Sequence, residues 1–115
     1  NTDGTETLTA AQSGCFVTAS KSDGATTITI PDPSAATVGV YYRILQTADQ
    51  DLVVTCATAN SNGIVCDGVA TTDNVTINTG SHKIGAGMYI LGISATKWYV
   101  GGLNPESVLT PEAAD

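Results

Sequence analysis

A single histidine, His82, is the only conventional base for nucleophilic catalysis in this chain of 115 residues. Catalysis by serine or cysteine needs such a base beside the nucleophile. The chain contains neither a G-x-S-x-G elbow nor a phosphate-binding glycine loop. His82 lies in a turn flanked by glycine, where a solvated loop histidine is the simpler interpretation. The residue inventory therefore predicts a protein that is not an enzyme.

Carboxylates and cysteines are the remaining residue types that hold metals. Calcium takes six to eight oxygen ligands, and Asp49, Asp51, Asp67 and Asp73 lie in adjoining loops. The EF-hand spacing is missing, however, and aspartates at such positions also serve ordinary turn chemistry. Zinc needs about four ligands, whereas the cysteines and the lone histidine include no CxxC pair. We expect no metal site and no cofactor.

The three cysteines, Cys15, Cys56 and Cys66, are an odd number, so at least one is unpaired within the chain. One interpretation joins Cys56 and Cys66 across a hairpin, where loop closure contributes roughly 2–3 kcal/mol. The other treats all three as small buried hydrophobic residues in a reducing cytoplasm. The sequence leaves both interpretations open.

The charge balance excludes some classes of partner. The formal net charge is −7, and the four basic residues are scattered along the chain. Nucleic-acid binding needs clustered basic residues, and anionic membranes are disfavoured for the same reason. No apolar stretch approaches the roughly 20 residues that span a bilayer, and the first residues do not resemble a signal peptide. The acidic balance suits docking onto a basic surface.

The spacing of apolar residues predicts strands throughout. Residues 26–30 and 74–78 alternate strictly, whereas residues 39–46 are apolar at nearly every position. Further strands are predicted at residues 14–19, 52–57, 88–95 and 97–101. Turn signals about every ten residues indicate an all-β fold. We predict a single antiparallel β-sandwich or small barrel, jelly-roll-like or tulip-like, with about seven or eight strands.

Three segments divide the chain. Residues 1–13 are predicted to form an N-terminal arm, residues 14–102 the β-domain, and residues 103–115 an extended C-terminal tail. Extended segments of this kind are suited to reaching across a neighbouring molecule and adding to its sheet edge. The alternative for both ends is that they are frayed termini.

Aromatic residues cluster in the last predicted hairpin, at Tyr89, Trp98 and Tyr99. Strand parity requires that either Trp98 or Tyr99 fills the core, and the outward residue is then placed to stack on a sugar or to anchor an interface. Several strands are apolar on both faces, yet one domain of this size has only one interior. We expect a partner or another copy to cover the excess apolar surface.

Four segments occur in an order that resembles a known family. They are TLTAAQSG at residues 7–14, ATTITIP at 25–31, GVYYRI at 39–44 and TKWYVGG at 96–102. In this order they are similar to the small β-domains of tailed-phage virions, especially head decoration (cement) proteins. Similar domains also occur in phage fibres and appendages, so a domain that binds host glycan is the alternative.

The resemblance implies a homotrimer made in the host cytoplasm and seated on the outer surface of the phage capsid. There it would bind the major capsid protein and clamp neighbouring capsomers. Terminal arms commonly touch the capsid in such proteins. The residues predicted to contact the capsid or a neighbouring subunit are Thr7, Leu8, Thr9, Tyr41, Arg43, Trp98, Tyr99 and Leu103.

Overall fold

The structure is a computed structural model that describes residues 4–58, 62–78, 83–103 and 109–113. Regular structure in these ranges is almost entirely strand, which confirms the all-β prediction. Two single 3₁₀ turns, Ala10–Gln12 and Ala35–Thr37, are the helical elements there. The ten strands in the described ranges are β1 Thr5–Thr7, β2 Phe16–Ala19, β3 Thr26–Ile30, β4 Tyr41–Gln46, β5 Leu52–Cys56, β6 Ile64–Cys66, β7 Val69–Ile77, β8 Gly87–Ser94, β9 Lys97–Gly102 and β10 Leu109–Ala113.

The strands form one curled, mixed sheet in the order β1-β3-β5-β7-β6-β9-β8-β4-β2, and β10 also pairs with β7. Four strand pairs in the described residues are parallel: β1 with β3, β2 with β4, β3 with β5, and β6 with β9. The first five strands alternate between the two ends of the strand order, so β1 pairs with β3, β2 with β4, and β3 with β5. The prediction of an antiparallel sheet with seven or eight strands is therefore corrected, because apolar spacing carries no information about strand direction.

On the strands whose sequence alternates strictly, every second side chain points into the core. Ile28 and Ile30 of β3 are buried and Thr27 and Thr29 are not, as the sequence indicated, and Thr26 is buried with the isoleucines. β4 buries every second residue, and β8 buries Met88, Ile90 and Gly92 in the same alternation as well as Gly87. The largest fully buried side chains are those of Trp98, Tyr42, Ile28, Ile30, Ile44, Leu52, Ile64, Ile77, Met88 and Ile90.

A close backbone approach joins the turn before β4 to strand β8. The Gly39 N–H donates to the Gly92 carbonyl, and the Gly92 N–H donates to the Val40 carbonyl, both at 2.8 Å. A Cβ atom added at Gly92 would lie 1.8 Å from the Thr37 carbonyl oxygen. Only glycine permits this packing, because no side-chain atom fits between the two segments.

The predicted terminal arms are in part strands of the sheet. β1 pairs in parallel with β3, and Leu8, which follows it, is 3% exposed and belongs to the core. β10 pairs with β7 and buries Leu109. Pro111 lies within β10, which is possible because a strand paired on one side needs fewer backbone donors. The remaining arm positions, residues 1–3, 104–108 and 114–115, lie outside the described residues.

The Asp-Gly pair at 67–68, a dipeptide that favours tight hairpin turns, forms such a turn. Asp67 and Gly68 both have positive φ, 48° and 83°, and connect Cys66 to its partner Val69 across the β6–β7 hairpin. Positive φ at both central residues defines a type I′ turn, which matches the twist of a two-residue hairpin.

The cysteines form no disulfide in this structure. Cys56 and Cys66 are buried, and Cys15 is partly buried. Burial raises the pKa of Cys66 to about 11 and also raises that of Cys15. These thiols are therefore protonated at neutral pH and have little nucleophilic character. The arrangement agrees with the interpretation of the cysteines as buried hydrophobic residues.

Tyr42 supports a prediction about alkaline stability. Its buried hydroxyl donates to the Thr9 carbonyl at 2.7 Å, and burial raises its pKa from 10.0 to about 12. The folded state then holds this proton more tightly than the unfolded state, so stability should fall as pH rises from about 10 to 12. Tyr42→Phe should cost about 1 kcal/mol at pH 7 and flatten that fall, as measured by urea unfolding across the pH series. Parallel pH profiles for the two proteins would contradict this account.

Candidate functional site

The outward surface of four neighbouring strands carries the candidate site. Strands β2, β4, β8 and β9 are consecutive in the sheet, and the residues between their buried ones face outward. Leu103, directly after β9, donates its N–H to the Gly87 carbonyl at 3.0 Å and continues the same surface. We call this surface the outer aromatic face, and its residues are Phe16, Tyr41, Arg43, Leu45, Tyr89, Leu91, Tyr99 and Leu103.

Strand register brings these side chains into rows across the sheet. Phe16 pairs with Arg43, and Arg43 pairs with Tyr89. In the next row, Tyr41 pairs with Leu91 and Leu91 pairs with Tyr99. Directly opposed residues on neighbouring strands are close enough for side-chain contact. The outer aromatic face is therefore continuous from β2 to β9.

Packing within the face orders its tyrosines. The rings of Tyr41 and Tyr89 are stacked, with centroids 6.1 Å apart and planes 18° from parallel. The Tyr99 ring lies over Gly101, since a Cβ atom there would fall 2.9 Å or less from the ring carbons and 2.5 Å from the hydroxyl. Tyr41 and Tyr99 nevertheless remain 39% and 42% exposed, and Phe16 is 52% exposed. Ordered but exposed aromatic rings lose little entropy on binding a partner.

Arg43 is the charged residue of this face. Its guanidinium carbon lies 5.9 Å from the centroid of the Phe16 ring, which is a cation–π contact. Within the described residues it forms no ion pair. The other three basic residues all have polar partners: Lys21 pairs with Asp23 at 3.1 Å, Lys83 with Asp51 at 2.9 Å, and Lys97 with the carbonyls of Asn62 and Ala70.

The structure brings together half of the residues predicted to contact a partner. Tyr41, Arg43, Tyr99 and Leu103 all lie on the outer aromatic face and are exposed. Trp98 is fully buried, with its ring 5.7 Å from that of Tyr42 and its Nε1–H donating to the Pro31 carbonyl at 2.8 Å. Of the pair Trp98 and Tyr99, the tryptophan is thus the one that fills the core.

Three predicted contacts lie elsewhere. Thr7 is an exposed residue of β1, and Thr9 accepts the Tyr42 hydrogen bond through its carbonyl. Leu8 packs in the core between them. Leu8 and Trp98 are buried within the chain, so their side chains are not on the surface that the chain offers to a partner. Each of them is an apolar residue next to an exposed neighbour. The sequence alone did not decide which of the two neighbouring side chains faces the core.

Sequence reasoning missed Phe16, Leu45 and Leu91 as members of the face, and it placed Tyr89 in the aromatic cluster of the last hairpin without predicting a contact for it. These residues can be found in the sequence because β4 and β8 carry apolar residues on both of their faces. Apolar residues on both faces indicate that a second surface is covered. Phe16 requires the strand order as well, because β2 reaches Arg43 only through its parallel pairing with β4.

The other candidate sites have simpler explanations. Asp51 is paired with Lys83, and Asp73 accepts a hydrogen bond from the Asn62 N–H at 3.3 Å. Across the described ranges, no cluster of three or more metal-ligating side chains occurs. The Asn74 amide, in a triplet that matches a glycosylation acceptor, donates to the Glu112 carboxylate. His82 lies outside the described residues.

Comparisons of the chain with protein-family models, with curated proteins and with solved structures gave no match. No helix in the described part of the chain is long and apolar enough to cross a membrane.

Proposed function

We propose that this protein is a non-catalytic structural component of a tailed-phage virion, a capsid decoration (cement) protein. It acts as a homotrimer on the outside of the head, binds the major capsid protein and stabilises contacts between neighbouring capsomers. The resemblance of four sequence segments, in order, supports the family. The outer aromatic face supports a docking role.

One observation carries the docking role. The described part of the chain has a complete core, yet a second apolar surface of aromatic and aliphatic residues runs across four strands on its outside. Tyrosine, phenylalanine and arginine are the residue types enriched at the centres of protein interfaces. Large apolar patches are uncommon on soluble monomers unless a partner covers them.

The exposed tyrosines are also compatible with the alternative role, glycan binding by a fibre or appendage domain. Sugar sites are usually concave and combine an aromatic platform with several polar groups. Here the exposed rings lie on an open sheet surface among leucines, and Trp98 is buried. The arrangement therefore favours a protein partner.

The curled sheet also supports the proposed sandwich or small barrel. β1 and β2 are the ends of the strand order, yet residues 8–15 join them directly. The two halves of the order also meet across the core. Trp98 of β9 donates its Nε1–H to the carbonyl of Pro31, directly after β3, and Tyr42 of β4 donates its hydroxyl to the carbonyl of Thr9, shortly after β1. A closed or nearly closed sheet leaves few free strand edges, so docking would use the face rather than an edge.

Binding to the expanded head alone would stabilise that state by mass action, since a ligand specific for one state shifts the equilibrium toward it. A trimer adds avidity, because three modest contacts act together once the first has formed. Such a mechanism needs a rigid scaffold and exposed anchor residues, and it needs no catalytic group.

The proposal is tested by light scattering after size exclusion, with the protein alone and mixed with empty expanded heads of the phage that encodes it. We expect a mass three times that of the 11.7 kDa chain and co-elution with the heads. A monomer that ignores the heads would contradict the proposal, and glycan-array binding would then test the alternative.

A further inference from the structure

We infer that Arg43 receives the carboxylate of an aspartate or glutamate side chain from the protein on which the outer aromatic face docks. This inference rests on the proposed function and names the chemistry of the partner at the same face. It also differs from the expectation from overall charge, which favoured a basic docking surface.

The position of Arg43 is the first support. It lies on β4, with Phe16 opposite on β2 and Tyr89 opposite on β8. Its guanidinium lies beside the Phe16 ring on the exposed side of the sheet, where a docked partner would exclude water. Docking would remove water from this charge, and the cost of that desolvation is offset only if the docked molecule supplies an anion.

Charge complementarity is the second support. The chain has eleven acidic residues and four basic ones, so a basic side chain has many potential internal partners. Lys21 and Lys83 have taken such partners, and Lys97 is bound by two carbonyl groups. Within the described residues, Arg43 alone of the four basic side chains keeps only an aromatic contact.

The shape of the guanidinium selects the anion. The contact with Phe16 is made through the ring face and leaves the guanidinium N–H groups without a hydrogen-bond acceptor among the described residues. A planar carboxylate fits two of these N–H groups in parallel bonds. A phosphate of a nucleic acid would be met by a cluster of basic groups, whereas this face offers one. The aromatic rings and leucines around Arg43 would contact apolar side chains of the partner. The carboxylate is therefore expected to come from an aspartate or glutamate that lies among apolar residues of a protein.

Head binding by variants of the whole protein tests the inference. Arg43→Gln should weaken binding by about 10-fold or more and reduce its dependence on salt between about 50 and 300 mM, because one screened charge pair is lost. Arg43→Lys should bind with intermediate affinity, since it keeps the charge and loses the planar fork. Lys21→Gln, which removes an equally charged residue from another surface, should bind as the wild type does.

Carbodiimide coupling identifies the source of the carboxylate. In Arg43→Lys the new amine should form an amide with a nearby carboxyl group, and mass spectrometry of the digested complex should show position 43 joined to an aspartate or glutamate of the capsid protein. The wild-type complex is the matched control, since a guanidinium does not couple.

The outcomes separate this inference from the proposed function. If wild-type protein does not bind heads, both fall. If it binds and Arg43→Gln binds equally well with the same salt dependence, the carboxylate inference is overturned while the docking role stands. Coupling of position 43 to an acidic sugar instead of a protein residue would also overturn it.

Discussion

Replacing Trp98 by alanine is expected to lower the free energy of unfolding by about 3–5 kcal/mol. The side chain is fully buried, packs against Tyr42, and leaves the Pro31 carbonyl without its donor when it is removed. A loss of this size is a large part of the stability of an ordinary domain. Urea unfolding followed by circular dichroism should show a lower midpoint with a similar slope.

Tyr99→Ala is the matched control, because it removes the adjacent aromatic ring of the same strand from the exposed side. We expect it to cost about 1 kcal/mol or less. Equal losses for the two variants would show that Trp98 does not occupy the core as described.

Gly92→Ala is expected to destabilise the fold by about 3 kcal/mol, at the upper end of the range for overpacking. The added methyl carbon would lie 1.8 Å from the Thr37 carbonyl oxygen and 2.8 Å from the Thr37 carbonyl carbon, and neither backbone atom can move without breaking the contacts to Gly39 and Val40. The turn Ala35–Thr37 would have to leave strand β8. Thermal and urea unfolding measure the loss directly.

Gly4→Ala controls for the general effect of replacing glycine. A Cβ atom there meets nothing within 4 Å, and alanine reduces the freedom of the unfolded chain. Its stability should equal or slightly exceed that of the wild type. A Gly92→Ala variant as stable as Gly4→Ala would rule out the close approach between the turn and β8.

Local patterns predicted the strands that alternate strictly or combine β-branched and aromatic residues. The alternation of side chains along β9 limited the core residue to Trp98 or Tyr99. The apolar residues on both faces of β4 indicated a second covered surface. The Asp67-Gly68 turn followed from the conformational preference of that pair. These features depend on near neighbours in the chain, so they are visible in the sequence.

Features that depend on distant neighbours were not predictable in the same way. β1 is short and mostly polar, and it becomes a strand because it pairs with β3. Pro111 discouraged a strand prediction for β10, although pairing on one side tolerates it. The contact of Arg43 with Phe16 arises from the parallel pairing of β2 with β4, which are separated by more than 20 residues in the chain. Composition alone shows none of these arrangements.

The most direct test of the docking account is the affinity of a Tyr41→Ser, Tyr99→Ser double variant for expanded heads, measured by co-sedimentation after its folding is verified by circular dichroism. Two central aromatic anchors are commonly worth about 2 kcal/mol each, or about 4 kcal/mol together, so we expect head binding to weaken by roughly 1,000-fold. Ile84→Ser removes a 65% exposed apolar residue outside the face and should leave the affinity unchanged. A double variant that binds heads as tightly as the wild type would contradict the account.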